Sequence, residues 1–108
     1  MSDREESSGG VVTEPLQDTK RKTSLPRMFK VLLHNDDFTT REFVIEVLRS
    51  VFHRSEVEAV AIMLKVHHSG VGVAGVYSKD VAETKALTVE HLARQNGFPL
   101  RLSIEPED

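Results

Sequence analysis

Residues 29–48 read FKVLLHNDDFTTREFVIEVL, in which a strand pattern, a polar loop and a helix pattern follow one another directly. The apolar run Met28–His34 is rich in residues that favour strands and is too short for a helix, so we predict a central strand. Asn35, Asp36 and Asp37 come next, just before the helix pattern begins. These polar side chains form either a well-capped turn or part of a binding site.

The helix pattern after the loop has one apolar face. Thr39 to Glu42 match a capping box, in which the Thr39 hydroxyl and the Glu42 carboxylate each bind an otherwise unpaired backbone N–H. The apolar side chains that follow recur at helical spacing and are Phe43, Val44, Val47, Leu48, Val51 and Phe52. We therefore predict an amphipathic helix that begins at the end of the polar loop.

A second capping box, Ser55 to Glu58, opens another helix, which ends at Ser69-Gly70. This helix has two apolar faces. The first comprises Val57, Val60, Ala61 and Leu64, and the second comprises Ala59, Met63, Val66 and His67. The second face needs either another element or a ligand to cover it, and the sequence leaves both options open.

The rest of the pattern predicts a strand, a helix and a strand. Val71 to Tyr77 is strand-like, with glycines that permit a bulge or a close approach of the backbone. Ser78 can cap the third helix, which ends at Asn96-Gly97. Apolar residues then alternate with polar ones in a last strand, at Leu100, Leu102 and Ile104. We predict an α+β fold of order β-α-α-β-α-β, with a three-stranded antiparallel sheet packed against three helices.

Residues 1–26 differ in composition from the rest of the chain. They carry charges of both signs, Ser, Gly and Thr, and few apolar side chains. Such a segment cannot bury enough surface to offset the loss of conformational entropy on folding. We predict a flexible N-terminal extension over residues 1–26 and one core domain over residues 27–108.

The composition excludes several classes of function. The 108-residue chain has a net charge of -3 and no cysteine, which argues against nucleic-acid or membrane binding, disulfides and thiolate chemistry. The first residues are charged and no apolar run approaches membrane-spanning length, so we expect a cytoplasmic location. The motifs of common nucleophile, phosphate and dinucleotide sites are absent, and we expect neither an enzyme nor a cofactor.

A metal site is the enzymatic alternative that the residues leave open. The competing hypothesis is a metal-dependent hydrolase that uses His67 with Asp36 and Asp37. His67 and His68 are adjacent on a helix and point about 100° apart, so they cannot both bind one ion from it. We expect no metal, and prefer an apolar pocket whose polar mouth is formed by the loop after the first strand and by His67.

Four stretches of the chain resemble the ClpS adaptors of the bacterial N-end rule (N-degron) pathway. They are FKVLLHNDDFTTREFVIEVL (29–48), MLKVHHSG (63–70), GVYSKDVAETKA (75–86) and FPLRLSIE (98–105). The resemblance implies an adaptor that binds the first residue of a protein, of the Phe, Leu, Tyr or Trp class. It also implies delivery of that protein to the ClpA unfoldase of the ClpAP protease, with the N-terminal extension serving the hand-over.

The resemblance implies roles for individual residues. Asn35 and His67 would hydrogen-bond the free α-amino group of the substrate, with support from Asp36. The residues implied to shape the side-chain pocket are Asp37, Thr39, Arg41, Val44, Met63, Val66 and Leu100. Those implied to contact the N-terminal domain of the unfoldase are Tyr77, Asp80, Glu83, Thr84 and Lys85. His34 and His68 match no ligand-contacting position, and we expect them to be structural or solvated.

Two positions depart from the family pattern. Arg41 stands where many relatives have Met at the pocket entrance, so we hypothesise an altered and narrower set of accepted first residues; an ordinary exposed residue is the alternative. Asp80 stands where relatives often have Glu, which keeps the charge with a shorter reach.

We expect a monomer. A third hypothesis is a helix-binding module of similar fold, which would bind peptides whether or not their amine is free.

Overall fold

The computed structural model describes residues 26–108, so the extension predicted over residues 1–26 lies outside the described residues except for Pro26. The elements in chain order are β1 (Met28–His34), α1 (Arg41–Ser50), α2 (Glu56–Ser69), β2 (Val71–Ser78), α3 (Lys79–Gln95) and β3 (Arg101–Pro106). The strands form an antiparallel sheet of order β2-β1-β3. The predicted order of elements and the central position of β1 are confirmed.

The core lies between the sheet and the three helices. Val31 and Leu33 of β1 are fully buried, and they belong to one apolar cluster with Leu48 of α1, Met63 of α2 and Val89 of α3. Burial of each such side chain contributes roughly 1.5–3 kcal/mol to folding. The predicted stripe of α1 is confirmed, since its members are either buried in this cluster or packed against it.

Strand β2 contains the irregularity that its glycines predicted. Val31 pairs with Gly75 and Leu32 pairs with Val73, which leaves Ala74 between them without a partner on β1. A Cβ atom at Gly75 would lie 2.7 Å from ring carbons of Tyr77, closer than real Cβ contacts allow. Gly75 is therefore required for the Tyr77 ring to fold back over the strand.

Of the three predicted helix caps, one is wrong and one is confirmed only in its position. Helix α1 is capped by Thr40, whose Oγ1 accepts a hydrogen bond from the N–H of Phe43 at 3.2 Å. Thr39 instead donates its hydroxyl to the carboxylate of Asp36, a charge-assisted hydrogen bond that directs this side chain to the loop. Ser78 is the N-cap residue of α3, but its side chain makes no capping hydrogen bond.

The capping box of α2 is confirmed. The Ser55 hydroxyl accepts from the N–H of Glu58 at 3.2 Å, and the Glu58 carboxylate accepts from the N–H of Ser55 at 3.1 Å. The helix ends at Gly70, which has a φ of 89°. A residue in this left-handed conformation is most often glycine, because glycine has no Cβ to clash.

One of the two apolar faces of α2 is buried in the core, and the other is mostly exposed, with only Val60 packed against the core. Ala59, Met63 and Val66 are buried, whereas Val57 is 81% exposed and Leu64 also faces solvent. The covered face is the one for which the sequence left two options open. Met63 and Val66 belong to the core and also line a pocket, so coverage by other elements is confirmed and coverage by a ligand stays a prediction.

Candidate functional site

The polar loop and the last turn of α2 lie together because β1 and β2 pair in antiparallel register. His34 lies opposite Val71 at the end of this pairing. The N–H of Asn35 then donates to the carbonyl of Gly70, the C-cap residue of α2, at 2.9 Å. This backbone hydrogen bond holds Asn35 beside the helical turn that carries His67.

A pocket of about 400 Å³ lies between this loop, the start of α1 and the end of α2. Its volume is in the range of small-ligand sites. Its lining residues are Asn35, Asp36, Asp37, Phe38, Thr39, Thr40, Arg41, Glu42, Val44, Met63, Val66 and His67. The pocket therefore brings together every residue predicted for the amine and side-chain sites except Leu100.

Leu100 lines only a second, much smaller cavity that adjoins the pocket. This cavity has a volume of about 20 Å³, which is room for about one water molecule. Five residues line both spaces and so form the wall between them; they are Asn35, Asp36, Thr39, Val44 and Val66. Leu100 is 1% exposed, and its place is behind this wall rather than in the pocket.

The carboxylate of Asp36 organises the loop that forms the pocket mouth. Its Oδ1 accepts from the N–H groups of Phe38 at 2.8 Å and of Thr39 at 2.7 Å. Its Oδ2 accepts from the Thr39 hydroxyl at 2.7 Å. A carboxylate has about four acceptor positions, so three are used within the loop and about one on Oδ2 is left for a ligand or water.

These contacts also change the acidity of Asp36. Partial burial acts to raise the pKa of Asp36, but the hydrogen bonds from Thr39 and Phe38 and the charge of Arg94 outweigh it and lower that pKa below its ordinary value. The carboxylate is therefore ionised at neutral pH and adds negative charge to the pocket.

The loop after α3 supports the pocket from the side of the small cavity. The Arg94 guanidinium donates to the carbonyls of Phe98 at 2.9 Å and Leu100 at 3.1 Å. The ring of Phe98 packs against that of Phe43 on α1, with centroids 5.0 Å apart. These contacts fix Leu100 behind the shared wall.

Arg41 and His67 are joined across the pocket. The Arg41 guanidinium and the Nε2 atom of His67 are hydrogen-bonded at 2.8 Å, and both residues are exposed. Because a guanidinium has donors and no acceptor, the imidazole nitrogen must be the acceptor. Arg41 is therefore a member of the pocket, not an ordinary exposed residue of the first helical turn.

Three lining residues were not predicted from the sequence, namely Phe38, Thr40 and Glu42. Phe38 is 76% exposed, and a large apolar side chain in a polar loop was the available signal, because such exposure often marks a binding surface. Thr40 carries no comparable signal, since its position in the pocket follows from the one-residue shift of the helix start. Glu42 was assigned to a capping box that does not form.

The residues predicted to contact the unfoldase divide into two groups. Asp80, Glu83 and Thr84 are exposed on α3, at a spacing that places them on one helical face. Leu87 continues this face and is 67% exposed, although it was not predicted. We call Asp80, Glu83, Thr84 and Leu87 the α3 face.

Tyr77 and Lys85 are half-buried beside the α3 face and have internal contacts. The Lys85 ammonium donates to the carbonyl of Val51 at 2.7 Å and lies 5.3 Å from the centroid of the Tyr77 ring. Burial raises the pKa of Tyr77, although the charge of Arg54 opposes it. Lys85 therefore ties α3 to the end of α1, whatever else it contacts.

The remaining predictions concern histidines, metals and membranes. His34 is hydrogen-bonded through Nε2 to the Ser103 hydroxyl of β3 at 2.7 Å, as expected for a structural residue. Within residues 26–108, no three His, Asp or Glu side chains gather closely enough to hold a metal ion. No helix in that part of the chain is both long enough and apolar enough to cross a bilayer.

Residues 24–103 match the family model described as ATP-dependent Clp protease adaptor protein ClpS. The chain belongs to the ClpS family. As a ClpS protein it is an adaptor of the ATP-dependent Clp protease and not an enzyme. The family membership overturns the alternative of a metal-dependent hydrolase and confirms the predicted family.

Individual ClpS proteins are similar to the chain over most or all of its length. It is 57% identical over 108 residues to ClpS of Myxococcus xanthus strain DK1622, covering 100% of this chain and 99% of that protein. It is 60% identical over 105 residues to ClpS of Desulfatibacillum aliphaticivorans, covering 97% of each. The structure of Agrobacterium tumefaciens ClpS2 bound to L-phenylalaninamide is similar with a TM-score of 0.74 and 44% identity, and covers 77% of this chain and 100% of that chain.

Proposed function

We propose that this adaptor binds the free α-amino group and the bulky apolar side chain of the first residue of a protein, of the Phe, Leu, Tyr or Trp class. We further propose that it delivers such proteins to the ClpA unfoldase of ClpAP. The observation that carries the first proposal is a single pocket with exposed polar residues, Asn35 and His67, and buried apolar ones, Val44, Met63 and Val66.

The polar part of the pocket suits an ammonium group. A free α-amine has a pKa of about 7.7–8.0, so it is mostly cationic at neutral pH and has only hydrogen-bond donors. The side-chain oxygen of Asn35, one nitrogen of neutral His67 and the remaining position on Asp36 are acceptors. Each hydrogen bond to a charged group contributes roughly 1.5–3 kcal/mol, so a chain start is distinguished from an internal amide.

The apolar part suits the side chain attached to the same carbon. Burial of a Phe or Leu side chain contributes roughly 1.5–3 kcal/mol, and the pocket of about 400 Å³ has room for one. The A. tumefaciens relative was solved with L-phenylalaninamide, a molecule that carries both a free α-amine and a phenyl side chain. This likeness supports the proposed ligand class.

The test is fluorescence-anisotropy binding of peptides that begin with Phe, Leu, Tyr, Trp or a small residue, each with a free or an acetylated amine. We expect the bulky, free-amine peptides to bind, and acetylation to weaken binding at least tenfold, because it removes the charge. Asn35→Ala and His67→Ala should each weaken binding by roughly tenfold. Equal binding of acetylated peptides would contradict the proposal and favour the helix-binding module.

The proposed docking site for the N-terminal domain of the unfoldase is the α3 face together with Tyr77 and Lys85. Two carboxylates, Asp80 and Glu83, offer partners to a basic surface, and Leu87 adds an exposed apolar side chain of the kind that anchors interfaces. We assign the hand-over of the substrate to residues 1–26. We assign the binding of the substrate's first residue and of the unfoldase to residues 27–108. We also propose that the protein acts in the cytoplasm, as a monomer and without a cofactor.

A further inference from the structure

The pocket contains a cation of its own, held where the proposed ligand would bind. The Arg41 guanidinium donates to Nε2 of His67 at 2.8 Å, and Arg41 and His67 line the same pocket as Asn35 and Asp36. This contact joins the start of α1 to the last turn of α2. It crosses the space that lies between the two helices.

The imidazole of His67 can accept only one hydrogen bond. A neutral imidazole has one nitrogen with a lone pair and one with a proton, and a protonated imidazole has no lone pair. A guanidinium and an ammonium are both donors without acceptors. Whichever ring nitrogen faces Arg41 is therefore the acceptor, and the other nitrogen carries the proton and cannot accept from an amine.

We propose that Arg41 is a latch: its hydrogen bond to His67 and the hydrogen bond from the substrate amine to His67 are mutually exclusive. Binding of an N-terminal residue then requires the guanidinium to leave the imidazole. This inference rests on the proposed function, because it concerns the same amine-binding histidine. It makes Arg41 a residue that lowers the affinity of the pocket through His67.

The pocket offers the released guanidinium other partners. The carboxylates of Asp37 and Glu42 line the same space and are exposed. When the Arg41 guanidinium leaves His67 for one of these carboxylates, it loses a hydrogen bond and forms an exposed ion pair. Because exposed ion pairs contribute little free energy, ligand binding has a net cost. The latch therefore reduces the affinity of every N-terminal residue by a similar factor. First residues whose side chains bind weakly are then no longer bound to a useful extent, so the pocket accepts fewer kinds of first residue.

The experiment is a double-mutant cycle on binding of a free-amine Phe-first peptide near neutral pH. Arg41→Met should bind the peptide about 2- to 10-fold more tightly than wild type, which corresponds to one hydrogen bond of ordinary strength. In a His67→Ala background, Arg41→Met should change the affinity less than twofold, because the shared acceptor is absent. Arg49→Met is the matched control, since it removes the same charge from the same helix outside the pocket.

A second readout reports the contact in the free protein. ¹⁵N NMR of the His67 ring should show one dominant neutral tautomer in wild type and a mixture in Arg41→Met. An equal gain in peptide affinity from Arg41→Met in both backgrounds would mean that Arg41 only repels the cationic amine, and would overturn the latch. A mixture of His67 tautomers in the wild-type protein would also overturn it. Loss of the distinction between free and acetylated peptides would instead contradict the proposed function, so the two failures can be told apart.

Discussion

Asp36 shows how one side chain can determine both the shape and the acidity of a site. Three hydrogen bonds from Phe38 and Thr39 hold its carboxylate within the loop. They also direct the Thr39 side chain to the loop, and Thr40 is the cap of α1, which starts at Arg41. The sequence predicted Asp36 as a site residue, but which of the two threonines caps α1 depends on distances that no pattern contains.

Because its pKa is lowered in the folded protein, Asp36 binds its proton less tightly there than in the unfolded chain. Its contribution to stability is therefore present above the unfolded pKa, near 3.9, and is lost as the pH falls through the folded value. We expect Asp36→Asn to reduce the free energy of unfolding by roughly 1 kcal/mol near pH 7, after allowance for partial exposure. The difference from wild type should shrink below about pH 4.

Thermal unfolding followed by circular dichroism over this pH range measures the effect. Asp37→Asn is the control, because it makes the same change of charge at the adjacent, exposed position. A difference between Asp36→Asn and wild type that stayed constant down to low pH would show that the carboxylate of Asp36 is not the group responsible.

At the scale of elements, the helix starts differ in how far the sequence determined them. Ser55 and Glu58 form the reciprocal hydrogen bonds that their spacing predicts, because both partners of a capping box are local. Ser78 occupies the same position on α3 without a side-chain bond. This helix directly follows β2, so the strand pairing of Ser78 with Met28 sets the chain direction at that point.

The two serines form a matched pair for a stability test. Ser55→Ala should lower the free energy of unfolding by about 1 kcal/mol, because it removes the cap of α2. The expected change in melting temperature is about 4–8 °C for a domain of this size. Ser78→Ala should cost much less, since no capping bond is lost; equal losses in calorimetry for the two variants would contradict this assignment.

At the scale of the whole molecule, the proposed functions lie on different elements. The pocket is built from the loop after β1, the start of α1 and the end of α2, whereas the residues proposed for docking lie on α3 and at the end of β2. The core connects the two surfaces but no residue belongs to both. Under the proposed function, a substrate in the pocket and an unfoldase on the α3 face would contact different residues.

The separation predicts that delivery can be lost without loss of substrate binding. We expect Leu87→Ala to slow ClpAP degradation of a Phe-first substrate, with a roughly tenfold weaker interaction with the ClpA N-terminal domain, because it removes an exposed apolar anchor. Peptide affinity should be unchanged. Val57→Ala is the control, since it truncates a similarly exposed apolar residue on α2. Equal degradation rates for Leu87→Ala and wild type would remove Leu87 from the docking site.

The sequence by itself determined the order of elements, the central strand and the apolar stripe of α1, because these follow from local periodicity and from the burial of apolar side chains. It also indicated the family and, through it, most of the residues that line the pocket. Tertiary structure decided which face of α2 is buried, that Leu100 lies behind the pocket wall, and that Arg41 reaches His67. These features depend on contacts between residues far apart in the chain, such as the antiparallel register that places Asn35 against Gly70. Periodicity carries no information about such distances.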